Sequence, residues 1–451
     1  MLKKLTTVSQ KLSPGLQKII YSIGWLTFER ILAMSLSLLI GVYVVRYLGA
    51  EDFGKLSYSA SFVALFSAIA ILGLDDVVLR NVVREEAATS EILGTAFILK
   101  LIGSVVTFGL IVWVTWMPNE ADQVRWITTI IAAGLVFNSF EVIDLWFKSQ
   151  VLAGAMARVR MTKLILSSVA KLLFISLGLP LIAFAWLMLA DLIFQATGML
   201  WAYLNQGQSL RDWQFNSSRA INLLKDSWPL ILSGMMVTIY MKIDQVMLGT
   251  MANNAAVGNY AAAVRFSEIW YFVPMTICAS VFPAIVRAKQ RSKQEYYRKL
   301  QQLYDMMAWL SLSIALPMSF LSPRLMTAIL GQEYTQAGEI LAWHIWAGPF
   351  VFLGVARGKW LMAENLTKLS FAATSLGAIT NILLNFWLIP SYEGTGAAIA
   401  TAISQAVACF LIFIFYPPTY NTCWMLIKAL LIPFRIRQNI NYINQVKKIL
   451  F

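Results

Sequence analysis

Runs of about 20 apolar residues, each closed by charge, recur along the whole chain, and no other feature limits its possible folds so sharply. A helix of that length spans about 30 Å, the thickness of a bilayer's hydrocarbon core. Such spans are expected at about residues 19–46, 55–79, 92–117, 125–147, 161–179 and 181–204, and, after a polar stretch, at about 227–249, 257–283, 302–324, 337–361, 367–389 and 395–416. The fold class is therefore an all-α polytopic membrane protein, with about 12 transmembrane helices in two six-helix lobes. On this reading residues 1–18 are a cytoplasmic leader, 19–204 the N-terminal lobe, 205–226 a cytoplasmic linker, 227–416 the C-terminal lobe and 417–451 a cytoplasmic or interfacial tail.

Charge points the same way. Only 13% of the residues are charged and 59% are hydrophobic, roughly half the charge fraction of a soluble domain. The net charge of +13 does not point to nucleic acid, because the basic residues fall in short alternate loops rather than in one patch. About 28 Lys and Arg lie on one side against about 4 on the other (Arg46, Lys55, Arg125 and Arg324), an asymmetry that places both termini in the cytoplasm. This count leaves Arg30, Lys171, Lys242 and Arg265 within the spans. The first apolar run is too long for a signal-peptide core and is read as uncleaved. Cys278, Cys409 and Cys423 have neither paired nor metal-ligand spacing, and read as small core residues.

The halves repeat one another. After span 1, "YLGAEDFGKLSYSASF" parallels "MLGTMANNAAVGNYAAAVRF" after span 7: Leu-Gly, then Gly54 or Gly258, then Phe62 or Phe266 eight residues on. Pro180 and Pro390 are each followed fifteen residues later by glutamine, Gln195 and Gln405. An even number of spans per half makes the repeat parallel, with a binding cavity expected between the lobes.

Ionisable residues at membrane depth cost roughly 2.5 to 3.5 kcal/mol on insertion scales, so each needs a partner or a cavity. Arg30 shares a helix face with Met34, Ser37 and Gly41 and ends near Arg46, either a cationic wall for an anionic ligand or an arginine paired with Glu29 or a neighbouring carboxylate. Lys242 and Asp244, two apart, point to different sides of span 7. Arg265 and Glu268, three apart, are placed to pair with each other or to reach substrate. Span 11 carries the stripe Ser370, Thr374, Gly377, Asn381 and Asn385, and span 12 answers with Gly394, Thr401 and Gln405. This is either close packing with amide hydrogen bonds or a dehydrated monovalent-cation site of amide and hydroxyl oxygens with one carboxylate, Asp244. Asp144 is expected to pair with Lys148, Glu141 has no evident partner, and Lys171 and Asp191 with Gln195 stay open. His344, the only histidine, reads as a hydrogen-bonded packing residue rather than a proton relay.

The chain shows no phosphate-binding glycine loop or ATPase motif, and no outer loop is longer than about a dozen residues. Asp75 and Asp76, beside "VVLRNVVREE", are a weak glycosyltransferase-like signal. The expectation is a transporter, not an enzyme, without cofactors.

The segments "RYLGAEDFGKLSYSASF", "LGLDDVVLRNVVRE", "DQVMLG" with "VGNYAAAVRFSEIW", "FPAIVRAKQ" and "WLIPSYEGTGAAIATAISQ" together resemble the Wzx-like polysaccharide and O-antigen flippases of the multidrug, oligosaccharidyl-lipid and polysaccharide (MOP) exporter superfamily. The resemblance covers nearly the whole chain. It implies flipping of a polyprenyl-diphosphate-linked oligosaccharide across the bacterial inner membrane by alternating access, coupled to Na+, H+ or the membrane potential. It further implies a cavity whose Arg30, Arg46, Lys242 and Arg265 meet the diphosphate and sugar. A cation site comparable to that of related lipid-linked-precursor flippases falls on Asp244, Asn381, Asn385 and Thr401, with amide where the family has a second carboxylate and with Lys242 near enough to substitute for the ion. Membrane lipids and a polysaccharide polymerase assembly are the implied partners. The alternatives are an ion-coupled multidrug or metabolite exporter of the same fold, which calls for carboxylates in an aromatic cavity, and a membrane polysaccharide polymerase or ligase, which calls for a large outer loop.

Overall fold

A computed structural model describes residues 14–117, 121–436 and 438–440, with side chains from residue 32 onward apart from that of residue 153. The leader's residues 1–13 and the tail's residues 441–451 lie outside the described residues. The described chain is helical throughout. In order the helices are α1 (Pro14–Ile71), α2 (Leu74–Arg84), α3 (Thr89–Thr115), α4 (Asp122–Ala133), α5 (Val142–Ser149), α6 (Ala153–Ser176), α7 (Leu181–Leu204), α8 (Ser217–Met251), α9 (Asn254–Glu268), α10 (Phe272–Arg291), α11 (Lys293–Leu330), α12 (Thr335–His344), α13 (Ala347–Ala363), α14 (Thr367–Phe415) and α15 (Tyr420–Leu430). Among the described residues eight helices are long and apolar enough to cross a membrane, and nine if the pair Gln332–His344 and Ala347–Ala363, bent by 45°, counts as one.

Two of these helices are broken rather than continuous. α1 changes direction at Gly49, whose φ of 71° costs an L side chain steric strain that glycine escapes. α14 breaks at Glu393, three residues after Pro390. Proline supplies no N–H to the helix ladder, which is why the chain leaves the helical path near there.

The chain separates into two compact units, residues 1–48 with 58–238, and residues 49–57 with 239–451. The first is built around Leu74, Val78, Ile92, Leu93, Ile143 and Phe147, all buried. The second is built around Tyr304, Met307, Phe352, Leu353, Phe413 and Leu426. Apolar side chains also cover much of the outer surface, for instance Trp387 at 82% and Phe320 at 81% exposure. In water such a surface aggregates, whereas lipid solvates it.

The repeat has a structural consequence in the second unit. Gly54 and Gly258, equivalent in the two copies, lie where their two backbones cross. A β-carbon on Gly54 would fall 1.7 Å from the carbonyl oxygen of Asn254, and one on Gly258 would fall 1.9 Å from that of Ala50. Backbone atoms cannot swing aside as a side chain can, so even a methyl group must push the two segments apart. Gly54→Ala and Gly258→Ala should each destabilise the purified protein by at least the roughly 1 to 3 kcal/mol typical of overpacking, read as a lower thermal midpoint. Gly109→Ala, where nothing lies within 4 Å, is the control, and should leave the midpoint unchanged or slightly raised. A midpoint for Gly258→Ala equal to that of the control would contradict the close crossing.

Candidate functional site

The most completely built polar centre of the second unit surrounds Asp244. This residue sits in the second half of α8 and is only 3% exposed. Its Oδ1 accepts a hydrogen bond from Asn385 Nδ2 at 2.5 Å. Its Oδ2 accepts from Thr401 Oγ1 at 2.7 Å and from the Tyr260 hydroxyl. Asn385 Nδ2 also donates to Asn381 Oδ1 at 3.1 Å. Asn381 and Asn385 are four apart on the same face of α14, Thr401 lies beyond the break at Glu393, and Tyr260 comes from α9. The break folds α14 back on itself, and that is how residues 381 and 401 of one helix reach the same carboxylate. Three donors on one carboxylate are what a buried charge requires, because an unpaired carboxylate away from water is prohibitively costly.

The centre is nevertheless incomplete. Asn385 Oδ1 and Asn381 Nδ2 are buried without a hydrogen-bond partner. A buried amide oxygen next to a carboxylate, a hydroxyl and a second amide carbonyl forms a set of hard oxygen donors, which suits a small monovalent cation. No cluster of three or more His, Cys, Asp or Glu suited to a multivalent metal occurs among the described residues.

The structure thus brings together Asp244, Asn381, Asn385 and Thr401, and adds Tyr260, which sequence reasoning passed over because a tyrosine in "GNYAAAVRF" reads as packing. Tyr260 also meets the His344 ring edge-on, with centroids 5.9 Å apart. His344 Nδ1 and Ser267 Oγ are 2.9 Å apart in a buried contact, in line with a hydrogen-bonded packing histidine. Lys242 is half-buried on α8, and among the described residues no hydrogen bond joins it to Asp244.

The cationic candidates differ from one another. Arg265 is exposed and does not pair with Glu268, against the expectation from their spacing; its guanidinium lies 5.3 Å from the ring centroid of Phe53 instead. An aromatic face competes with a carboxylate one helical turn away because it attracts the cation without requiring that both be desolvated. Arg46 is exposed in the first unit. Among the described residues Arg46, Lys242 and Arg265 have no ion-pair partner. The side chain of Arg30 lies outside the described residues.

Several other charges within the expected spans are paired. Asp144 bridges Lys148 at 2.8 Å and also Arg160 at 3.1 Å, one partner more than its own helix offers. Asp191 accepts from Ser167 at 2.7 Å, and Gln195 accepts from Lys163 at 2.6 Å. Two buried cations escaped the sequence count, which had assigned them to the basic loops. Lys100 is 1% exposed and pairs with Asp75. Arg357, 7% exposed, donates to the carbonyls of Ala408 and Cys409 at 2.7 and 2.8 Å and lies 4.2 Å from the Phe413 ring centroid. Both sit inside apolar runs, "AFILKLIGS" and "FLGVARGKW", and that position was the available signal.

Comparison with known proteins places this architecture. The model of the family described as polysaccharide biosynthesis protein matches residues 19–289, and that described as MatE matches residues 229–387. The chain is 24% identical over 373 residues to the "Probable low-salt glycan biosynthesis flippase Agl15" of Haloferax volcanii, covering 81% of this chain and 76% of that one. Its fold matches the lipid II flippase MurJ in an inward closed conformation with a TM-score of 0.69, at 14% identity over 90% of this chain and 92% of that one. It also matches an inward-facing multidrug resistance MATE family transporter of the MOP superfamily with a TM-score of 0.67, at 16% identity over 91% of this chain and 98% of that one. A family match over more than half its length, together with its long apolar helices, shows that this chain is a membrane protein of the polysaccharide biosynthesis protein family, with a fold shared with these transporters.

Proposed function

We propose that this chain flips a polyprenyl-diphosphate-linked oligosaccharide from the cytoplasmic to the outer face of the bacterial inner membrane. The observation that carries the reading is the pair of basic side chains within the expected spans that have no ion-pair partner among the described residues, Lys242 and Arg265, with Arg46 likewise unpaired at a span end, in a chain similar to a glycan biosynthesis flippase. Arg30 joins them by its position in the sequence. A diphosphate of about two negative charges needs cations to offset its desolvation, and guanidinium and ammonium groups supply them. Moving those two charges outward across an inside-negative membrane releases about 4.6 kcal/mol per 100 mV. The potential alone thus favours export.

Twelve spans in two six-helix lobes fit the helix lengths. Residues 32–84 and α14, 53 and 49 residues long, would each measure over 70 Å as straight helices, more than twice the hydrocarbon core. Each is broken and supplies two crossings. α6 adds one more, its Arg158, Arg160, Lys163 and Lys171 having lowered its hydropathy. An even number of crossings returns both termini to the cytoplasm, in accord with the positive-inside asymmetry. Residues 1–18 and 417–451 are then cytoplasmic or interfacial, and a polysaccharide polymerase assembly is a partner suited to receive the flipped glycan. Asp244, Asn381, Asn385 and Thr401 would hold a monovalent coupling cation, Na+ by the hardness of their oxygens, which supplies a charge whose binding differs between inward and outward states.

The test is export of the surface glycan by cells carrying Arg30→Ala, Arg46→Ala, Lys242→Ala or Arg265→Ala variants, with membrane abundance measured in parallel. Lys242→Ala and Arg265→Ala should each reduce export at least tenfold at unchanged abundance, with smaller losses for Arg30 and Arg46. Wild-type export by all four variants would overturn the reading.

A further inference from the structure

The first unit contains a polar centre that the diphosphate and cation roles leave unused. Three helices that cross at membrane depth contribute to it, and two of them are irregular there. The chain leaves the helical path between α1 and α2 at Leu72 and Gly73, both with positive φ of 56° and 58°. Between α4 and α5 the residues Gly134–Glu141 form a 3₁₀ stretch eight residues long. Such runs seldom exceed three or four residues, and a long one inside a span often marks a functional hinge or a strained sequence. Irregular backbone at this depth persists where it is buried in protein or lines a wet cavity.

Charge is concentrated beside these breaks. Asp75, just past the first break, pairs with the buried Lys100 of α3. Phe97, one turn before Lys100 on the same face, meets Phe140 with ring centroids 5.1 Å apart and planes at 67°. That contact sets the Lys100 face of α3 against the end of the 3₁₀ stretch, where Glu141 sits. Glu141 is half-buried and has no hydrogen bond or ion pair among the described residues. The charges acting on it are Lys100 from α3, Asp75 from α2, and Asp144 and Lys148 from α5. Of these Asp144 and Lys148 are held to each other, and Asp144 also to Arg160 of α6. α7, which packs on the other side with Leu192 close to Gly134, carries Asp191, satisfied by Ser167. α4 carries Asp122 and Arg125, paired with each other at 3.1 Å. Lys100 is thus the cation available to Glu141, and Asp75 competes for it.

We propose that Glu141 is a proton-binding site of the first unit, with Lys100 shared between Asp75 and Glu141 when Glu141 is ionised and held by Asp75 alone when Glu141 carries the proton. The proton comes from water and returns to water, and the three groups together change from a net charge of zero to minus one as it leaves. Because the ammonium changes partners, protonation alters the tie between α3 and the hinge that ends at Glu141. The inference rests on the reading of the chain as a gradient-coupled transporter and assigns H+ to the first unit, separate from the cation centre at Asp244.

The test uses the full chain in lipid nanodiscs. Infrared difference spectra across a pH titration should show a carboxyl band that is absent in Glu141→Gln and shifted in Glu141→Asp. In cells, Glu141→Gln should reduce glycan export at least tenfold at unchanged membrane abundance, with partial recovery in Glu141→Asp. A titrating band that persists unchanged in Glu141→Gln, or wild-type export by that variant, would overturn the proposal. If Glu141→Gln does not accumulate, an unshifted band in Glu141→Asp overturns it instead. Absence of glycan export even in the unaltered protein would defeat the flippase reading, while the infrared titration, which needs no substrate, still decides the role of Glu141.

Discussion

Asp244→Asn should leave the protein folded and stop transport, whereas Asp244→Ala should lose both fold and transport. The difference follows from the donors around the carboxylate. Removing the side chain strands one N–H of Asn385 and leaves the Tyr260 hydroxyl only Thr401 Oγ1 at 3.2 Å, while Thr401 keeps the carbonyl of Ala397. A stranded group costs about 1 to 3 kcal/mol and the emptied space adds to it, so the alanine variant loses on the order of 3 kcal/mol. An asparagine keeps one carbonyl oxygen for Tyr260 and Thr401. Its amide N–H can be met by Asn385 if that side chain turns over to present Oδ1, the atom now without a partner. The geometry therefore survives the loss of charge. A bound cation adds a second readout, because a ligand at 100 times its dissociation constant stabilises the folded state by about 2.7 kcal/mol. Replacing choline chloride by sodium chloride should raise the thermal midpoint of the unaltered protein and leave that of Asp244→Asn unmoved. A sodium-dependent rise that persists in Asp244→Asn would remove the carboxylate from any cation site.

How much of this centre was legible beforehand depended on spacing. Asn381 and Asn385 fall on one helical face by their separation of four, and a carboxylate amid apolar neighbours at Asp244 demands partners wherever it sits. Thr401 stood out because a polar residue in "GAAIATAISQ" has few apolar reasons to be there. Tyr260 did not stand out, since an aromatic ring is at home in a core and its hydroxyl leaves no trace in a hydropathy pattern. Lys100 and Arg357 were lost for a different reason. Counting basic residues by loop treats each cation near a span end as solvated, yet helix α3 continues past Lys100 on both sides, and Arg357 spends its hydrogen bonds on backbone carbonyls that no sequence pattern marks. The repeat at Gly54 and Gly258 was visible as a match of letters. That the two copies cross backbone to backbone at those glycines is a tertiary fact, and only coordinates supply it. Of the two readings that spacing left open for Arg265, the pairing with Glu268 is not found, and the guanidinium lies over the ring of Phe53, two hundred residues away in the chain.

The asymmetry of the Lys100 cluster yields the second large effect. Lys100 is 1% exposed while the side chain of Asp75 is 44% exposed. Stripping a buried cation of every counter-charge costs about 3 to 5 kcal/mol, whereas a freed carboxylate that is half-exposed costs less. Asp75→Asn alone should cost less than that full amount, because Glu141 remains to receive the ammonium. Asp75→Asn combined with Glu141→Gln should incur all of it, lowering the thermal midpoint by more than the sum of the two single variants, since residues sharing one partner do not add independently. Adding Lys100→Met to the double variant should then restore most of the loss, because a side chain of similar length fills the space without a charge to compensate. Simple additivity of Asp75→Asn and Glu141→Gln would mean that Glu141 never holds Lys100, and no recovery with Lys100→Met would mean that the cost lies in packing rather than in the unpaired charge. Recovery of stability without recovery of glycan export in the triple variant is the outcome that separates the two roles of this cluster, since it would show that the fold needs the charges only to cancel, while transport needs them to exchange.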